Sequence, residues 1–246
     1  MAEQTTYQLS IDESVLERCF LTADILAETY GHPKTEYGMI GMARQSEPFR
    51  IIAAPLLPGQ QVSPSQVYQR GHHVMAMRQE TEALALQMGE PLVPISFIHR
   101  HPGPCGMSET DEKFLTGVLI DQVSTVITLN ENRPVLPGEF PCGCMADCAP
   151  QSTDERAGKP VVIEYGLCFS IIVNRERELS IDAARKQWCP ACNQSAVRIV
   201  PAALQVDEHE VPDSARRQIR SQLSLEIAAK ILFVTPKDHV SHDQCE

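Results

Sequence analysis

A chain of 246 residues, 43% hydrophobic and 22% charged, is long enough to bury a sizeable core as one domain, or two at most. Its 32 acidic and 21 basic side chains leave a net charge of −11, which repels phosphate backbones and argues against nucleic acid as the main partner. No stretch approaches the roughly 18 consecutive apolar residues of a membrane helix, and Met1–Thr6 has neither a basic region nor an apolar run, so no span and no export signal is expected.

In chain order, Tyr7–Ile11 alternates as a short strand. Asp12 or Ser14 then caps a helix in which Leu16, Cys19, Phe20, Ala23, Leu26 and Ala27 recur at helical spacing, stopped by Gly31-His32-Pro33. Glu36 leads into an apolar strand, Tyr37–Met42, whose glycines suit close neighbours, and Phe49–Ala54 reads as its hairpin partner. A polar loop over Pro58–Ser65 precedes a helix near Val74–Met88. Leu92–Ile98 is then a buried strand delivering His99 and His101 at its end, with Pro94 early in it. Ser108 opens a helix over about Glu109–Asp121, and Val123–Leu129 returns as a strand. Residues 130–160 hold Pro134, Pro137, Pro141 and Pro150 with several glycines and cysteines, and read as an insertion. Pro160–Val173 resumes the sheet, Ala196–Val206 supplies one last strand, and Ser214–Ile231 a final helix. The expected architecture is a single α/β domain over residues 1–235, a mixed sheet flanked by helices with a Cys/Pro-rich insertion, followed by a flexible tail, 236–246.

The chemistry concentrates in His99-Arg100-His101-Pro102 and Ser108-Glu109-Thr110-Asp111. Two histidines one residue apart lie on the same side of an extended strand, and Asp111 can close the same site if the chain folds back into a helix. Two imidazoles and a carboxylate leave a fourth tetrahedral position open on zinc, as catalytic sites do. Each piece has a plain reading by itself: Ser-x-x-Asp is also a helix-capping pattern, and histidines are often simply satisfied core or surface residues. The joint occurrence, each on its expected element, carries the argument.

The order of Glu36, His99-x-His101-Pro102, a short loop and Ser108-x-x-Asp111 resembles the JAB/MPN (Mov34, JAMM-motif) family of zinc metalloproteins over roughly residues 7–130, as a prokaryote-like member. The resemblance implies a cytidine-deaminase-like fold with zinc on His99, His101 and Asp111. It further implies Glu36 as general acid/base and Ser108 as a donor to the oxyanion of the tetrahedral intermediate. The implied reaction is peptide or isopeptide hydrolysis at the C-terminus of a ubiquitin-like or sulfur-carrier-like protein in the cytoplasm, in the company of a ThiF-like activating enzyme. The loop Pro102–Met107 is one residue shorter than usual in the family, and Arg100 stands where its hydrolases most often have serine or threonine. Two alternatives stand beside the hydrolase: an assembly module that retains zinc without catalysis, and a RadC-type or plasmid-cassette protein linked to DNA metabolism.

Nine cysteines without an export pattern point to thiols and metal ligands rather than disulfides. Cys142, Cys144 and Cys148 in the insertion and the Cys189-Pro-Ala-Cys192 knuckle could together supply a second, structural zinc site that holds the insertion. The plain alternatives are free thiols or a redox pair at Cys189 and Cys192. No thioredoxin-like context surrounds that pair, and no His-x-Glu precedes it, which excludes the zinc-deaminase pattern. Cys105 reads as a loop residue.

Overall fold

The computed structural model describes residues 6–31, 35–62, 67–68, 73–124, 128–149, 158–174 and 176–233. It is a mixed α/β structure. Nine strands form one sheet in the order β10-β9-β8-β6-β2-β3-β1-β11, with β7 paired to β8 off this path, and β12-β4-β5 form a small second sheet. The described residues fall into two compact units, one from Met1–Tyr7, Ser108–Phe169 and Asp182–Ala202, the other from Gln8–Met107, Ser170–Ile181 and Ala203–Glu246.

The second unit begins with β1 (Tyr7–Asp12) and α1 (Glu13–Tyr30), then the antiparallel hairpin β2 (Gly38–Arg44) and β3 (Glu47–Ala53). On α1 the stripe Val15, Leu16, Cys19, Thr22, Ile25 and Leu26 is buried, the period expected of a helix laid on a sheet. The helix ends at Gly31, whose φ of 71° is a left-handed cap that a residue without Cβ adopts at little cost. Strand β1 pairs in parallel with β3.

The central strand β6 (Leu92–Arg100) is buried along its whole length, which is why Leu92–Ile98 is apolar apart from Ser96. It pairs antiparallel with β2 from Gly38↔His99 to Arg44↔Leu92, with a register shift between Gly41 and Met42 that passes over Ile95. Pro94 therefore sits beside an irregularity, where a missing N–H is tolerated in a central strand. Helix α2 (His73–Met88) packs on β6.

Three features of the later chain and of segment 58–65 depart from expectation. The segment 58–65 contains β4 (Gln60–Val62), which pairs with β5 (Val67–Tyr68) and with β12 (Ile231–Phe233). The last helix, α5 (Asp213–Lys230), stops one residue before Ile231, which begins β12. The expected single strand over Ala196–Val206 is two, β10 (Ser195–Val200) and β11 (Ala202–Asp207), because Pro201 interrupts it. Helix α5 packs on α1 through buried Leu223 and Ile227, and its Glu226 pairs with Arg18 and with Lys230 at 3.0 Å while accepting from Leu56 N at 2.8 Å. The expected tail from 236 lies outside the described residues.

The first unit holds one interrupted helical run: α3 (Glu109–Phe114), a π-turn over Leu115–Leu119, and α4 (Ile120–Ser124). The wider turn shifts the helical phase so that Leu115, Leu119, Ile120 and Val123 all face inward. Val123 and Ser124 are thus helical, not the start of a strand, and β7 runs over Leu129–Arg133 instead. The 13-residue β8 (Val161–Val173) and its partner β9 (Leu179–Trp188), which periodicity did not reveal, contribute residues to both units. The insertion has a small core of its own, Val135, Phe140 and Met145 against Ile163 and Cys189. Its polar anchor is Glu139, buried and accepting from Arg133, Leu136 N at 2.8 Å and Gln187 at 2.9 Å.

Candidate functional site

His99 and His101 stand at the C-terminal end of β6, where strand alternation puts both rings on one face. Their Nε2 atoms are 3.1 Å apart and the rings meet edge to face at 67°. His99 is buried and stacks on Phe97 at 5.0 Å, while His101, half-buried, is held by its N–H donating to Val173 O at 2.9 Å. Gly38 lies directly opposite His99, so nothing projects from β2 where that imidazole needs room. Arg100 N donates to Tyr37 O at 3.1 Å, and half-buried Glu36 directly precedes Tyr37, just ahead of β2.

Gln60 fixes this corner. Its buried side-chain amide accepts from Gly38 N at 2.8 Å and donates to Gly38 O at 2.9 Å and Leu57 O at 3.0 Å, extending the sheet's hydrogen bonding with a side chain. No local signal marks Gln60, since a glutamine beside Pro58-Gly59 reads as an exposed loop residue. Arg100 falls on the opposite face by alternation, and its buried guanidinium donates to Thr35 O at 3.2 Å. It braces the backbone at Thr35, next to Glu36, instead of lining the histidine face. Cys105 also does more than fill a loop: its thiol contacts Ile172 O at 3.1 Å and Glu178 O at 3.5 Å, tying Pro102–Met107 down, and burial raises its pKa.

Ser108 is the N-cap of α3 in a full capping box with Asp111. Ser108 N donates to Asp111 Oδ2 at 2.8 Å and Ser108 Oγ donates to the same oxygen at 2.6 Å, while Asp111 N donates back to Ser108 Oγ at 3.3 Å. A hydroxyl has one proton, and here it is committed to Asp111. In this arrangement Ser108 positions the carboxylate; an oxyanion role would need that proton turned away. Asp111 belongs to the first unit, whereas His99 and His101 belong to the second.

Donor types and spacing fit a divalent metal. Two nitrogens each about 2.05 Å from a tetrahedral zinc lie about 3.3 Å apart, close to the 3.1 Å between the two Nε2 atoms.

The cysteines form a second group, wholly within the first unit. Sulfurs of Cys142, Cys144, Cys189 and Cys192 lie within 4.8 Å of one another. Hydrogen bonding to Cys192 and then Cys142 pushes the Cys144 thiol up to about 12. Cys148 is outside this group and packs against the insertion's apolar core.

The chain matches no protein-family model, and no curated protein is significantly similar to it. Among the described residues, no helix is long and apolar enough to cross a membrane.

Proposed function

We propose that the chain is a zinc-dependent metallopeptidase or isopeptidase acting at the C-terminus of a ubiquitin-like or related protein. The observation that carries this reading is the His99–His101 pair at the end of β6, with its Nε2 atoms 3.1 Å apart. His99, His101 and Asp111 are the residues that would hold the metal. Zinc bound there supplies a Lewis acid that polarises a carbonyl and acidifies water to a pKa of about 7.

The chain's own residues supply the rest. Glu36 takes the proton of the attacking water on its carboxylate and passes it to the leaving nitrogen, so one group serves as base and then acid. Ser108 holds Asp111 in place through Oδ2. Gly38 leaves space over the ring of His99, and Gln60 and Arg100 fix the backbone that presents Glu36. Substrate selection rests on a protein tail extended enough to enter beside the end of β6, and a ThiF-like activating enzyme is the expected companion activity.

The test is cleavage of C-terminal fusions of ubiquitin-like and sulfur-carrier-like proteins by zinc-loaded protein, followed by gel and mass spectrometry. Glu36→Gln is expected to lower turnover by about 10²–10⁴-fold while zinc content is unchanged. Turnover at the wild-type rate would remove the general-base role. Zinc retained without cleavage of any fusion favours the assembly module over the hydrolase.

A further inference from the structure

We propose that Cys142, Cys144, Cys189 and Cys192 bind a structural zinc ion that clips the insertion to the β9–β10 turn. Four thiols from two separate stretches converge, and their sulfurs lie within 4.8 Å of one another. Thiolates at about 2.3 Å from a tetrahedral zinc sit about 3.8 Å apart, so the native backbone holds them within a small adjustment of closed coordination. A set made entirely of sulfur selects zinc over the harder divalent ions, and four protein ligands leave no open position for chemistry.

The local backbone is built for this purpose. Cys189 and Cys192 flank a tight turn between β9 and β10, in which Asn193 N donates to Cys189 O and Cys189 N donates to Gln194 O, both at 2.8 Å. Asn193 takes a left-handed conformation, φ 59°, directly after the second cysteine, and this turns the chain so that both sulfurs point one way. On the other stretch, Gly143 at φ 69° bends the chain between Cys142 and Cys144, with Gly143 N donating to Phe140 O. The four are graded in exposure: Cys189 is buried, Cys142 is half-buried, and Cys144 and Cys192 face solvent, so metal has a path in. Beneath them lies the small apolar core of Val135, Phe140 and Met145. Glu139 anchors the insertion's backbone to β7 and β9 through Arg133 and Gln187. The clip fastens the stretch beyond it, where a core this small would not hold a Pro/Gly-rich segment by burial alone.

Cys148 tests the assignment because it neighbours the ligands in sequence while its sulfur lies outside the group of four. In full-length protein, Cys192→Ser is expected to lose one bound zinc per chain, whereas Cys148→Ser keeps it. A His99→Ala/His101→Ala variant also keeps it, which separates this site from the proposed catalytic one. Cobalt substitution of the unmutated chain is expected to produce the intense sulfur-to-metal charge-transfer bands of a tetrahedral tetrathiolate, a readout that no folding defect of a variant can mimic. Four thiols that react freely with a thiol reagent in zinc-saturated native protein would overturn the proposal. So would disulfides among these cysteines by mass spectrometry, or iron in place of zinc.

Discussion

Two residues show how closely the interior is specified. A Cβ built on Gly41 would lie 2.0 Å from Ser96 Oγ and 3.1 Å from Ile51 Cδ1, at the point where the β2–β6 register shifts. Gly41→Ala is expected to cost about 2 kcal/mol in urea unfolding, as overpacked cores do. Adding Ser96→Ala removes the closest atom and should recover part of that loss; strictly additive effects would show that the two positions do not meet. Glu139 is the second case. Burial raises its pKa, but hydrogen bonds from Arg133, Leu136 N and Gln187, with the Arg133 charge, outweigh it and hold the carboxyl below its ordinary value. A depressed carboxylate contributes stability above its unfolded-state pKa and loses it as pH falls through the folded one. Glu139→Ala should therefore cost about 3 kcal/mol near neutral pH by leaving Arg133 without its main partner, and the gap to wild type should close below about pH 4. Urea midpoints measured across that range check the sign.

The start of α3 shows how capping and ligand placement can share one motif. The box that satisfies the helix N-terminus also fixes Asp111, since Oδ2 accepts both Ser108 N–H and Ser108 O–H. Ser108→Ala is expected to cost about 1 kcal/mol as a lost cap and to weaken zinc at the histidine site by about tenfold as a lost supporting hydrogen bond. Calorimetric zinc titration against thermal melts separates the two, and a destabilised variant with unchanged zinc affinity would confine Ser108 to capping. The capping and metal readings of Ser-x-x-Asp are compatible at this helix. Strand β6 makes a similar point: burial on both faces explains its apolar run, while alternation alone sends Arg100 to brace Thr35 and the two histidines to the other side.

For the molecule as a whole, both proposed metal sites imply that stability depends on free zinc. A ligand binding only the native state at a hundredfold excess over its dissociation constant adds about 2.7 kcal/mol. Chelation should lower the melting temperature of the wild type, and lower it less in Cys192→Ser; equal shifts would place the metal-linked stability elsewhere. Periodicity was enough to read β1, α1, the β2–β3 hairpin, α2, β6 and most of α5, because each buries one face or all of itself and writes that burial into a local repeat. Strands β4, β9 and β12 were not legible. Two of these are only three residues long, and β9 carries Asp182, then two small alanines, then Arg185, Lys186 and Gln187, with part of its polar surface spent on ion pairs and hydrogen bonds, such as Arg185 with Glu131 at 2.5 Å. By itself the sequence determined donor chemistry and order: which imidazoles, carboxylates and thiols exist, and that His99 and His101 share a strand face. Only the tertiary structure decided which of them meet. The β2–β6 register placed Gly38 opposite His99, and folding of the insertion chose Cys142 and Cys144 over Cys148. Register and loop closure depend on partners distant in the chain, and no local pattern records them.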